Sequence, residues 1–384
     1  MTSPVQAVTP LGWTAILGGL AATAVGMLQG WAEARLIGIA AVTAAAIALL
    51  LTIGNSRYRA SLEIERPRAR IGERVLGRVE VSNSGKRPLV PVRIELPVGA
   101  GLASFDIPAL ATGATHEALF SVPTKRRGVI TIGPTESVRR DPLGLIERTN
   151  IWPGQHDLCV HPDTVTIDAT ASGLLRDVEG VPVRRRASSD VTFDAVRDYV
   201  PGDDRRAVHW RTTARMGRLM VRQFEETHRS HLVVLLSLRP EDYAAADDVE
   251  LAVSVAASLC LQAQREGRVL SVRAGALVLP TGSPAALLDR FAAVQPHPDA
   301  PRARQQVNMA LATEHGASIV AVVTGSALPH DELRAVEQLL PADLALLVFR
   351  CGVGAATERH RHGECVVIDV GALADLPRAA RSLR

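Results

Sequence analysis

Two apolar runs without a charged side chain, Leu11 to Leu28 and Leu36 to Ile53, constrain this chain more than any other feature. As helices, runs of that length extend about 27 Å, close to a hydrocarbon core of about 30 Å. Both are expected to cross a membrane, as spans 11–28 and 36–53 of a helical hairpin that occupies residues 1–56. A soluble hairpin buried in a core fits less well, because adjacent charge-free runs of this length are rare in soluble domains. A cleaved signal peptide needs a basic leading region, and residues 1 to 10 carry no charge. Between the spans Glu33 nearly cancels Arg35, whereas Arg57, Arg59, Arg66, Arg68 and Arg70 follow the second. The positive-inside rule then puts both termini and everything after Ile53 in the cytoplasm, on a two-pass inner-membrane anchor.

The rest of the 384 residues is too long for one ordinary core. Basic and acidic residues number 43 and 40, a balance that gives no general reason to expect nucleic acid. The four cysteines, Cys159, Cys260, Cys351 and Cys365, are scattered without a Cys-x-x-Cys pair and are expected to be reduced and structural.

Residues 57–167 alternate with period two. Val75, Gly77, Val79 and Val81 interleave with Arg74, Arg78 and Glu80, and Val92, Ile94 and Leu96 with Arg93 and Glu95. Such alternation marks half-buried strands, and Asn83-Ser84-Gly85, Pro97 to Gly101 and Thr112-Gly113 supply turns between them. An antiparallel β-sandwich of immunoglobulin-like type is the expected fold. Residues 231–384 follow a different rule. Leu232–Leu238, Val269–Val272, Ile319–Val323, Leu344–Phe349 and Val366–Val370 are short apolar runs, expected as buried strands. Helical periodicity separates or follows them at residues 248–264, 285–294, 303–314, 331–340 and 372–383, which predicts a doubly wound α/β domain.

Between these two regions, residues 168–230 link the domains, and the polar stretch Asp177 to Phe224 fits neither period. It contains Asp190, Asp194, Arg197 and Tyr199, then Pro201-Gly202-Asp203, Arg206, Trp210 and Thr213-Ala214-Arg215, and ends in Leu219-Met220-Val221-Arg222-Gln223-Phe224. With Arg126-Arg127-Gly128, Asp141-Pro142-Leu143-Gly144-Leu145 and Val160-His161-Pro162 upstream, and with the two apolar runs, the sequence closely resembles the bacterial membrane-protein family catalogued as domain of unknown function 58. The resemblance covers nearly the whole chain. It implies a von Willebrand A-like fold after the motif, and association with a MoxR-type AAA+ ATPase and a transglutaminase-like membrane protein. It does not imply a biochemical activity.

The motif places Arg197, Arg206 and Arg215 among Asp190, Asp203 and Asp204, around Tyr199 and Trp210. Guanidinium forks can pair with such carboxylates and stack on such rings. The arginines therefore suit either an internal clamp beside a partner-docking surface or a receptor for an anion or small ligand. Pro201-Gly202-Asp203 suits a tight turn, and a helix over residues 205–216 would put Arg206, Trp210 and Thr213 on one face. For catalysis only Asp203, Asp204 and His209 lie close together, and no nucleophile elbow, phosphate loop or metalloprotease helix accompanies them. The basic runs Arg184-Arg185-Arg186 and Arg205-Arg206 lack interleaved aromatics, so no nucleic-acid partner is expected.

Metal sites are also unpromising. The von Willebrand A-like fold that the resemblance implies can carry an Asp-x-Ser-x-Ser cation loop after the first strand; here that position reads Ser237-Leu238-Arg239-Pro240-Glu241, and the later strand is followed by Thr324-Gly325-Ser326 rather than Asp-Gly. His360, His362, Glu364 and Cys365 have zinc-binding chemistry, but beside Arg359 and Arg361 they are expected on a solvated loop. His228 and His231 lack a third ligand nearby. No cofactor, metal or enzymatic activity is expected. The predicted role is that of a membrane-tethered cytoplasmic adaptor.

Overall fold

In the computed structural model of the chain, the two apolar runs are the helices Pro10–Gln29 and Ala32–Thr52, both long and apolar enough to cross a membrane. The structure describes residues 5–52, 58–86, 88–89, 91–167, 191–200, 208–226, 231–341, 344–363 and 365–380. The separation between the helices is shorter than spans 11–28 and 36–53 imply. Gly30, left-handed at φ 74°, ends the first helix, and the second begins at Ala32. Thr9 caps the first helix by accepting a hydrogen bond from the Gly12 amide, and Pro10 occupies the first turn, where a missing N–H costs nothing.

The chain divides into two compact units, Met1–His161 and Pro162–Arg384. In the first, the only buried residues of the leading helix are Gly12, Gly19 and Gly26, seven apart and therefore on one stripe. Leu17, Leu20, Met27, Leu36, Ile37 and Leu50 are exposed. This inverts the pattern of a soluble hairpin, which would bury its large side chains and expose its small ones.

The strands of this unit form two sheets. One has eight strands and runs in the order Val5–Val8, Ile146–Trp152, Thr135–Arg140, Val92–Val98, Gly128–Ile132, His156–His161, Arg68–Arg70, with Gly101–Ile107 paired to Val92–Val98. The other runs Tyr58–Ile64, Val75–Asn83, Thr115–Val122. The alternation predicted from sequence is present: Val75, Val79 and Val81 of one sheet and Ile94, Leu96, Ile132 and Leu158 of the other are buried in one apolar cluster. Asn83 holds its predicted turn by accepting from the Gly85 amide at 3.0 Å. The pairing of Val5–Val8, which precede the first helix, with Ile146 to Thr149 has no counterpart in the periodicity.

The second unit is built on a seven-stranded sheet in the order Leu277–Leu279, Val269–Ala274, His231–Leu236, Ile319–Gly325, Ala345–Cys351, Cys365–Val370, Glu358–His362. The five inner strands are parallel and the outermost strand on each side is antiparallel to its neighbour. Parallel strands covered on both faces need apolar side chains in both directions. Leu232, Val234 and Leu236 accordingly pack on one side with Val253 and Ala256 of the helix Ala246–Arg265 and Phe291 of Pro284–Ala293. Val233 and Leu235 pack on the other with Val307 of the helix Ala303–Thr313 and Val336 of His330–Leu339.

Three expectations are corrected. Glu358–His362, expected as a loop, is an edge strand that turns through Gly363 at φ 60° into Cys365–Val370. Its alternation was hidden because an edge strand can carry polar residues on both faces. The helix expected over residues 372–383 is a short 3-10 turn, Leu373–Asp375, followed by Leu376–Ala379; residues 381–384 lie outside the described residues. The motif stretch, which fitted no period, contains an antiparallel ribbon of Val191–Asp198 with Met220–Glu226. A bulge between Phe193 and Ala195 shifts the alternation halfway along, so neither half is long enough to show a period.

Candidate functional site

The ribbon and its connection carry the motif. Arg197 stands opposite Val221 in the register, and Asp198 opposite Met220. The Tyr199 amide donates to the Leu219 carbonyl at 2.9 Å, which extends the pairing by one residue, and Val208 forms an isolated bridge to Val221. The helix comes after that bridge. It is Trp210–Met216, so the helix expected from residue 205 starts five residues later, because Val208 is held in a β-bridge.

His209 explains the start. Its Nδ1 accepts from the Thr212 amide at 3.2 Å and lies 2.8 Å from the Thr212 hydroxyl, in the role that Ser or Asp usually takes at a helix N-terminus. The same nitrogen is therefore committed to a cap. Gly217, left-handed at φ 66°, ends the helix, and the Thr213 hydroxyl accepts from the Met220 amide at 3.0 Å, fixing the return into the second strand. Arg218 pairs with Asp198 at 3.0 Å, both more than half exposed, a geometry worth little in stability. Ala214 and Arg215 face solvent. Asp190, Gly202, Asp203, Asp204 and Arg206, like Arg184, Arg185, Arg186 and Arg205, lie outside the described residues.

Charge reasoning passed over the apolar residues of this motif. Val200 is 56% exposed, Trp210 68%, Met216 54% and Leu219 45%. All four lie within the short connection between the ribbon strands, whose backbone the Tyr199, Thr213 and His209 hydrogen bonds hold. Their signal in the sequence was visible, as large apolar residues interrupting a charged stretch without periodicity. Exposed large apolar side chains gathered in one segment of the chain are candidates for an interaction site.

The carboxyl ends of the parallel strands are a second candidate, since open α/β sheets bind ligands where strand order reverses. Here that place lies at the ends of His231–Leu236 and Ile319–Gly325, and the chain's own turn fills it. Ser237 Oγ donates to Asp242 Oδ2 at 2.5 Å, and Tyr243 OH donates to the Ser237 carbonyl at 2.6 Å. A Cβ on Gly325 would collide with the Asp242 carbonyl oxygen and the Tyr243 ring. Asp242 is buried, and desolvation pushes its carboxyl above the usual range, opposed by the Ser237 hydrogen bond and the Arg239 charge. Arg239 itself pairs with Glu241. Nearby, Asp248 accepts from the amides of Ala245 at 3.0 Å and Val353 at 2.8 Å, tying a helix start to the loop after Ala345–Cys351.

Among the described residues no three His, Cys, Asp or Glu side chains group as a metal site. His360 lies 3.5 Å from Asp369, and the buried Cys365 thiol contacts the His362 carbonyl at 2.9 Å; Glu364 is outside the described residues. His231 Nε2 sits 2.9 Å from Ser271 Oγ, which donates to Glu314 at 2.7 Å, while His228 is outside the described residues. The serine hydroxyl thus bridges the imidazole and the carboxylate.

Among curated proteins, the uncharacterised protein YeaD of Bacillus subtilis is 31% identical over 131 residues, covering 33% of this chain and 31% of that protein. The match thus spans about a third of the relative's length. Similar solved structures include the CARDB domain of a Pyrococcus furiosus protein in complex with two metal ions, at 11% identity and TM-score 0.21, covering 28% of this chain and 96% of that one. An alkylpurine DNA glycosylase of Pseudomonas fluorescens bound to DNA is 13% identical at TM-score 0.20, covering 35% and 41%. Likenesses at those TM-scores carry no argument about this chain. From within the first strand of the ribbon to the helix His330–Leu339, residues 195–338 match the family described as Protein of unknown function DUF58.

Proposed function

We propose that this chain is a membrane-tethered adaptor or scaffold that offers its motif ribbon to a protein partner at the cytoplasmic face of a bacterial inner membrane. The observation that carries the reading is the exposed apolar group Val200, Trp210, Met216 and Leu219, built on a hydrogen-bonded connection. Exposed tryptophan is among the residue types most enriched at interface hot spots, and methionine is enriched at interfaces. The tether is the helix pair, whose large apolar side chains face outward. Arg57, Arg59, Arg66, Arg68 and Arg70 after the second helix, against a single Arg35 offset by Glu33 between the helices, favour cytoplasmic placement of the chain beyond Ile53.

In this reading the two sheets that share a core are an immunoglobulin-like sandwich, and the seven-stranded unit is a von Willebrand A-like domain without its cation loop. A MoxR-type AAA+ ATPase is the proposed partner and a transglutaminase-like membrane protein a neighbour, as the resemblance to the domain of unknown function 58 family implies. The process served is assembly or remodelling of membrane or envelope complexes.

A photocrosslinking residue at Trp210 of the full chain in native membranes tests this. An AAA+ ATPase crosslinked from position 210, and not from the exposed Leu119 of the strand Thr115–Val122, is the expected result. No protein crosslinked from position 210, with the chain folded and inserted, would reject the docking role. A reporter fused after Arg384 should be active only in the cytoplasm.

A further inference from the structure

The turn Asp141 to Leu145 is fastened to the helix pair. Thr9 donates through its amide to the Leu145 carbonyl at 3.0 Å and through its hydroxyl to the Gly144 carbonyl at 2.7 Å. A Cβ on Gly12 would strike the Leu145 carbonyl oxygen, so helix and turn touch backbone to backbone. Leu145 and Ile146 share an apolar cluster with Ala45 and Ala48 of the second helix, against which Ala15 and Ile16 of the first also pack.

Asp141 shapes the turn from within. Buried, it accepts from the amides of Leu143 at 2.9 Å and Ile146 at 2.6 Å. The left-handed Gly144 at φ 68° closes the loop. This arrangement pushes the tip outward: Pro142 is exposed, and Leu143 is 59% exposed although its neighbour Leu145 is buried.

Helix geometry then sets the depth. From the level of Ala15 to Leu28 there are 13 residue steps, about 20 Å of helix, while a hydrocarbon core is about 30 Å thick. If the pair spans a bilayer, apolar lipid must extend past the level of the turn. Tryptophan favours the membrane–water boundary. The exposed Trp13 stands in the first turn of the leading helix, beside the Gly12 contact with the turn, and the exposed Trp31 lies just past that helix's end.

The geometry points to the Pro142-Leu143 tip as a lipid-contacting wedge, seated at the boundary between headgroups and acyl chains beside the helix pair. This inference rests on the membrane reading above. Apolar groups at that boundary are typically buried about 5–10 Å, and here a rigid turn makes the contact. The wedge would fix the unit that follows the helices at one height on the membrane.

Environment-sensitive labelling of the full chain tests this, in vesicles of mixed phosphatidylcholine and phosphatidylglycerol. On a Cys159→Ser background, single cysteines replace Leu143, Leu20 or Leu119 and carry a polarity-sensitive fluorophore. Quenching by a nitroxide attached high on the lipid acyl chain is compared with quenching by aqueous iodide. The expected result is a several-fold larger lipid-borne loss of emission at positions 143 and 20 than at 119. If position 20 is quenched from the lipid while 143 behaves as 119 does, the wedge is wrong and the spanning helices stand. If iodide quenches position 20, both the wedge and the membrane reading fall.

Discussion

Gly19 and Gly38 meet backbone to backbone across the helical hairpin: a Cβ on Gly38 would lie 2.5 Å from the Gly19 carbonyl oxygen, and one on Gly19 would lie 3.1 Å from the Gly38 carbonyl oxygen. Between two helices in lipid, where hydrophobic exclusion is weak, close approach of this kind is the main source of association. Gly38→Val should therefore open the hairpin and cost about 1–3 kcal/mol by overpacking. Gly18→Val is the control, because a Cβ there meets nothing within 4 Å. Thermal unfolding in detergent should show a lower midpoint for the first variant than for the second.

Thr9 and Asp141 act from the two sides of one joint. Thr9→Val removes both the cap on Gly12 and the donor to Gly144, and should cost about 1 kcal/mol or slightly more. Asp141→Ala leaves the buried Ile146 amide without its acceptor, at about 1–3 kcal/mol. As the two residues share this joint, the double variant should cost less than the sum of the singles. Strict additivity in denaturant titrations would show that the joint is not cooperative.

Asp242 should make stability depend on pH. Its folded carboxyl binds a proton more tightly than the unfolded one, so its contribution is complete below the unfolded carboxylate range and is lost as pH rises through the raised folded value. Asp242→Asn keeps an acceptor for Ser237 and removes the buried charge. It should raise the melting midpoint at neutral pH, with the difference closing as pH falls into the unfolded carboxylate range. A gap independent of pH would mean that the carboxylate is not disfavoured by burial.

Trp210→Ala should leave the melting curve within about 0.5 kcal/mol of wild type, since the ring is mostly exposed. Partner crosslinking through a photoreactive residue at Met216, which is exposed in the same motif, should be lost in the same variant. A large loss of stability would show that the ring supports the fold instead of a partner.

Thiol labelling separates the cysteines. Cys260, Cys351 and Cys365 are buried, and burial pushes all three thiols up, away from the reactive thiolate. A maleimide should modify Cys159 alone in the folded chain and all four after denaturation, read by mass.

The candidate site was partly legible. Arg197, Arg206 and Arg215 drew attention because charge is visible residue by residue. Yet the described part of the motif is organised by His209 as a cap, Thr213 as an acceptor and Gly217 as a stop, and its exposed side chains include Val200, Trp210, Met216 and Leu219 beside the charged ones. Those roles depend on backbone direction, which a bulge at Phe193 and Ala195 reset in a way that residue types do not announce.

The amino-acid sequence by itself determined most of what short-range periodicity carries, the expected helix over residues 372–383 aside: two apolar helices, alternating strands such as Val75–Asn83, and buried strands such as Ile319–Gly325 between amphipathic helices. Local period reflects side-chain direction, so a window of a dozen residues suffices. Only the tertiary structure decided that Val5–Val8 pair with Ile146 to Thr149, that Gly12 rests on Leu145, and that the turn after Leu236 fills its own crevice. An apolar stripe specifies that a face must be covered but not which distant segment covers it; hydrogen bonds and steric fit between residues far apart in the chain make that choice.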